Sequence, residues 1–204
     1  MSRESDLFLA EVPDRLLIGM LRSVFDGCIA ARAASKKHDK RWFGDRLPTE
    51  RRLGVEPRLA DLVLPPGFTV TLDQTNSSTN TRIQSDKVVI TAVTRNARVR
   101  YVSPYRIRET LAQEAQCEMF ENAQPRVGAK LFALMIYGGP HRAKFPTIAT
   151  IKFPLPSGKF APGSIDLLQR FPGVVTAYTE AESVAKPKVG LRPAKKESDE
   201  KVGS

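Results

Sequence analysis

The chain has 204 residues, 41% of them hydrophobic, and 32 lysines and arginines against 22 acids give it a formal net charge of +10. That length suits one domain with a tail. The composition excludes a helical membrane span, because no apolar run approaches the roughly 20 residues one requires. Two cysteines, Cys28 and Cys117, are too few for the disulfide framework of a small secreted domain. The start, Met1-Ser2-Arg3-Glu4-Ser5-Asp6, has neither the basic flank nor the apolar stretch of a secretory signal. The expected setting is intracellular, cytoplasmic or nucleic-acid-associated.

The first predicted element is a helix over residues 13–34. Leu16, Leu17, Met20, Leu21, Val24, Phe25, Cys28 and Ile29 recur at helical spacing, Pro13 suits the first turn, and Asp14 suits the positive end of the dipole. Gly19 and Gly27 either weaken this helix or let a neighbour pack closely. A polar, basic stretch, 35–46, follows, and Pro48-Thr49-Glu50-Arg51-Arg52 reads as a loop or a short helix start. Residues 58–64 suggest a helical turn, stopped by Pro65-Pro66-Gly67.

The middle of the chain reads as β. Phe68, Val70 and Leu72 alternate with threonines, giving a strand over 68–72. Residues 73–81, rich in Asn, Ser and Thr, read as an exposed loop. A strong strand covers 87–93, and 98–102 continues it or pairs with it. Ser103 and Pro104 then look like the cap and first residue of a second helix, with Ile107, Leu111, Ala115 and Met119 stepping by four. Strands follow over 130–137 and 147–153, with Gly138-Gly139-Pro140 opening their connection and Ser157-Gly158-Lys159 forming a turn. A short helix capped by Ser164 is expected over 164–170, and a last edge strand over 174–178. From Ser183 onward bulky apolar residues are almost absent, so a disordered tail is expected.

These elements make one α+β domain over 1–182, whose N-terminal helix could also be an arm, and a basic tail over 183–204. The expected sheet is mixed or antiparallel, of about four to five strands packed with two main helices.

The charge is unevenly placed. Arg95, Arg98, Arg100, Arg106 and Arg108 follow one another without an acid, and Tyr101 and Tyr105 lie among them. A second cluster holds Lys36, Lys37, Lys40 and Arg41, with Trp42 beside it. Guanidinium groups match phosphate bidentately, and aromatic rings stack on unpaired bases. Two readings compete for these clusters: a binding surface for RNA or DNA, or solvated faces whose acidic partners come from elsewhere in the fold. Trp42, next to Phe43, reads more simply as a core or interface anchor.

Catalytic patterns are weak. His38 and His141 share no metal-ligand spacing with a cysteine or with each other. Arg32 and His38 have an Arg-x5-His spacing that also arises readily by chance. Gly138-Gly139-Pro140 is too short for a phosphate-cradling loop, and no cofactor is implied. The residues therefore suggest a non-enzymatic nucleic-acid-binding accessory or structural subunit. The alternative is a subunit of a coat, shell or multi-subunit complex, held by protein partners or by copies of itself.

Overall fold

The structure, a computed structural model, describes residues 2–38, 40–75, 78–95, 130–155 and 159–185. Among these lie five α-helices and a six-stranded mixed sheet in the order β1-β2-β3-β4-β5-β6. The α+β class and mixed sheet agree with the sequence reading, with more strands than expected. Cys117, the expected second helix and residues 186–204 of the tail expected from Ser183 lie outside the described residues; residues 183–185 belong instead to the C-terminal helix, a correction to where the tail begins.

Helix α1, Arg3–Glu11, was not expected. Ser2 caps it by accepting from the Ser5 N–H, and Glu4 and Asp6 occupy the first turn, where the dipole favours acids. Its anchor is Phe8, fully buried and edge-on to Phe153 with ring centroids 5.6 Å apart. A single anchor over so few turns leaves no readable period in the sequence.

Helix α2, Asp14–Ser35, matches the expected helix to within a residue at each end. It buries Leu16, Leu17, Met20, Leu21, Val24, Phe25, Cys28 and Ala31. After a 3₁₀ turn at Lys40–Trp42, helix α3 runs unbroken from Phe43 to Ala60 through Pro48 and Pro57. Of the two readings of 48–52, a loop or a short helix start, the loop is corrected, and the helix begins earlier, at Phe43. Each internal proline costs about 3 kcal/mol in an isolated helix. Here Leu47, Arg51, Val55 and Leu59 are buried at steps of four, and that stripe outweighs the local preference. The helix stops at Ala60, so the helical turn expected over 58–64 is only the end of α3.

Strands β1, Thr69–Thr75, and β2, Ser78–Gln84, form an antiparallel hairpin from Thr69↔Gln84 to Thr75↔Ser78. Most of the loop expected over 73–81 is therefore ladder. Its threonines are β-branched and fit a pleated surface; Thr81 and Ile83 point inward, and Arg82 pairs with Asp73 at 2.6 Å. Strand β3, Val88–Arg95, runs antiparallel to β2.

Strand β4, Leu131–Gly138, runs parallel to β3, from Val88↔Leu131 to Arg95↔Gly138. A parallel pair needs a crossover connection; residues 96–129, between the two strands in the chain, lie outside the described residues. β4 is buried along its whole length, which accounts for its unbroken apolar sequence. Strand β5, Ile148–Lys152, pairs antiparallel with β4, and the short β6, Ile165–Asp166, with β5. Flanking bonds from the Leu155 N–H to the Lys159 carbonyl and from the Ala161 N–H to the Phe153 carbonyl bracket the expected turn, although 156–158 themselves lie outside the described residues.

Two C-terminal expectations are corrected. Asp166, not Ser164, caps α4, Leu167–Arg170, accepting from the N–H groups of Leu168 and Gln169. Residues 174–178 lie within helix α5, Pro172–Ala185, and form no edge strand. There Val174, Val175 and Tyr178 pack on the core. The Tyr178 ring stacks on Phe25 at 4.7 Å, and its hydroxyl donates to Asp26 at 2.7 Å. Only a helix brings residues 174, 175 and 178 to one side.

Candidate nucleic-acid interface

The parallel pairing of β3 and β4 sets Arg95 beside Gly138 at one end of the sheet. The chain leaves β4 through Gly138 and Gly139, at φ values of 128° and 136°, a region open to glycine and strained for other residues. A Cβ on Gly138 would run into the Arg95 carbonyl oxygen, and one on Gly139 into the Thr147 hydroxyl. The bend is fastened by the Gly139 N–H to the Arg95 carbonyl at 2.9 Å and the Thr147 N–H to the Gly138 carbonyl at 2.8 Å.

Two arginines hold the next carbonyls. Arg51 of α3 donates to Gly139 O at 2.7 Å and to Pro140 O at 3.4 Å. Arg32 of α2 donates to His141 O at 3.0 Å and to Ala143 O at 2.9 Å. The loop after β4 is thereby tied to the end of α2 and to the body of α3. The Arg32 guanidinium also lies over the Phe43 ring, 5.6 Å from its centroid.

Arg51 is buried beside Cys28 and Tyr137. Burial pulls its guanidinium below the ordinary arginine value, with Arg32 acting in the same sense, while Cys28 and Tyr137 oppose the shift. Burial pushes the Cys28 thiol up to about 11, and Arg51 offsets part of this. Such a thiol stays protonated at neutral pH and supplies no nucleophilic thiolate. Burial also raises the Tyr137 phenol well above its usual value.

The site residues expected from sequence fall into two groups. Arg98, Arg100, Tyr101, Tyr105, Arg106 and Arg108 lie outside the described residues. Arg95 ends β3 at the site, with its carbonyl fixed to Gly139. Lys36 and Lys37 are exposed in the turn that ends α2, and Lys40, Arg41 and Trp42 form the 3₁₀ turn leading into α3. Arg46 donates to the His38 Nε2 across this turn at 3.4 Å. The Arg32 and His38 side chains thus have different partners, His141 and Ala143 for one and Arg46 for the other. Trp42 is 58% exposed, so the core-anchor reading is corrected. Its neighbour Phe43, half-buried, lies under Arg32.

Sequence reasoning missed the Arg32 and Arg51 clamps. Two adjacent glycines before a proline, directly after an apolar strand, were the available signal. It also missed a cleft of about 460 Å³ between α3 and the β1–β2 hairpin, lined by Arg52, Leu53, Glu56, Asp61, Leu72 and Thr81. There the Glu56 carboxylate accepts from the Thr81 N–H at 2.6 Å. Among the described residues no group of three or more His, Cys, Asp or Glu could hold a metal ion, and no helix is long and apolar enough to cross a membrane.

No protein-family model, curated protein or solved structure matches this chain. The chemistry of the site therefore carries the functional argument.

Proposed function

We propose that the protein is a non-enzymatic nucleic-acid-binding accessory or structural subunit, which takes the phosphate backbone at the end of the sheet where β3, β4, α2 and the start of α3 meet. One observation carries this reading. Lys36, Lys37 and Arg142 are exposed there and have no carboxylate partner among the described residues. Three ion pairs lie away from it: Arg82–Asp73 in the β1–β2 hairpin, Lys87–Glu11 at the start of β3, and Arg170–Asp14 at the start of α2. Asp45, in the first turn of α3, is an acid brought toward this end. Unpaired cations on one face are the electrostatic footprint of polyanion binding.

Replacing Lys36, Lys37 and Arg142 together by Gln should weaken binding to nucleic acid. It should also flatten the salt dependence by about one unit of log–log slope for each phosphate that is no longer neutralised. Exposed substitutions of this kind change stability by about 0.5 kcal/mol or less each, so the thermal midpoint should hold. Equal affinity and equal slope in the triple variant would remove this end of the molecule as the binding surface.

The second reading, a subunit of a larger assembly, is favoured by the cleft beside α3. Leu53 and Leu72, which line it, are 57% and 56% exposed, and exposed apolar surface of this kind marks docking sites. Light scattering separates the two readings. An assembly that persists in high salt belongs to the apolar cleft, whereas polyanion binding abolished by salt belongs to the basic end.

A further inference from the structure

We propose that Trp42 is a stacking platform for an unpaired base, so that the nucleic acid held at the basic end is single-stranded. This deepens the preceding reading and rests on it. Exposure is the first ground: Trp42 is the chain's one tryptophan and is 58% exposed. Burying an aromatic residue is among the largest single contributions a side chain makes to a core, and at this position the fold forgoes it.

The absence of a ring partner is the second ground. Phe8 packs on Phe153, Phe25 on Tyr178 and Phe145, Phe43 under Arg32, Phe160 near Lys152, and Phe171 near Arg170. Among the described residues no ring or cation packs on Trp42.

The third ground is its placement. Arg32 holds the His141 and Ala143 carbonyls and at the same time covers Phe43, the residue after Trp42. Phe43, next to Trp42 in the chain, and the Arg142 loop are thus set about one guanidinium, with Lys36 and Lys37 shortly before Trp42 on the turn leaving α2. Any base offers a π-face to an exposed indole once it is unstacked, and the adjoining cations take the phosphates on either side. A duplex keeps its bases stacked on one another and offers the indole no such face.

Because Trp42 is the sole tryptophan, its fluorescence reports the event directly. The intact protein is titrated with oligodeoxythymidylate and oligouridylate of about 12 nucleotides, within the usual range for such sites, and with a blunt duplex and inorganic polyphosphate. Both single strands should quench the emission strongly, and the duplex and polyphosphate only weakly. Trp42→Ala should weaken single-strand binding roughly 5- to 150-fold, the range expected when one base stack is removed. Trp42→Phe should recover most of that affinity, and polyphosphate affinity should be the same in all three proteins. Equal quenching by the duplex, or single-strand binding that is silent in fluorescence and indifferent to Trp42→Ala, would overturn the stacking role and leave the polyanion reading standing. Failure to bind even polyphosphate at low salt would overturn both.

Discussion

Gly27 and Gly54 set how closely α2 and α3 approach. A Cβ on Gly27 would lie 2.8 Å from the Gly54 carbonyl carbon, and one on Gly54 would lie 2.6 Å from the Gly27 carbonyl oxygen. These obstacles are backbone, so no rotamer change relieves them. Gly27→Ala tests the competition between two effects. Alanine in a helix interior gains about 1 kcal/mol over glycine, whereas overpacking a tight interface costs about 1–3 kcal/mol. Overpacking should win, and the thermal midpoint of Gly27→Ala should fall. A raised midpoint would show that the helices can separate at little cost. In the sequence Gly27 reads either as a weak point or as a close approach; only the position of α3 decides between them.

At the scale of elements, α2 is the helix the core is built on. Leu21 is fully buried within the main apolar cluster. Leu21→Ala should therefore cost about 2–5 kcal/mol, read as a drop in the denaturation midpoint in urea with an unchanged slope. An unaltered midpoint would mean that α2 is a detachable arm. The elements read incorrectly share a cause. α3 carries two prolines and a buried arginine within its apolar stripe, so its period is broken in sequence although Leu47, Val55 and Leu59 are buried along it. Residues 174–178 are short and β-branched and read locally as a strand; stacking of Tyr178 on Phe25 selects the helix.

At the scale of the molecule, the fold sorts charge along the sheet. Lys87 and Asp14 begin β3 and α2, and both are paired, with Glu11 and Arg170. The far end of α2 carries the cations Lys36 and Lys37, which have no carboxylate partner among the described residues. The buried groups also give the whole fold an alkaline limit. Burial raises the Cys28 thiol from 9.0 to about 11. The native state thus holds this proton more tightly than the unfolded chain. The resulting stability is fully present below about pH 9 and is lost as pH rises toward about 11. A shift of that size corresponds to roughly 2–3 kcal/mol. Tyr178, pushed to about 12 by burial and by its bond to Asp26, adds a loss in the same direction above about pH 10. Thermal midpoints measured from about pH 8 to 11 should fall, and should fall less steeply in Cys28→Ala. Parallel curves for the two proteins would show that the thiol titrates alike in both states.

The helix over 14–35 and the strands at 88–95, 131–138 and 148–152 follow from the sequence itself, because each carries its own unbroken apolar period. The basic character of the turn after α2 is equally local, since neighbours in sequence stay neighbours there. Four features had to wait for the tertiary structure: the hairpin through Asp73 and Arg82, the helix through Pro48, the arginine clamps on the loop after β4, and the exposure of Trp42. The clamps and the helix depend on groups far apart in the chain: Arg51 on Gly139, Arg32 on His141, and α3 on α2. Local periodicity carries no information about such pairings. Trp42 is exposed beside a half-buried Phe43, and a sequence in which the two aromatics are adjacent cannot say how far either will be covered.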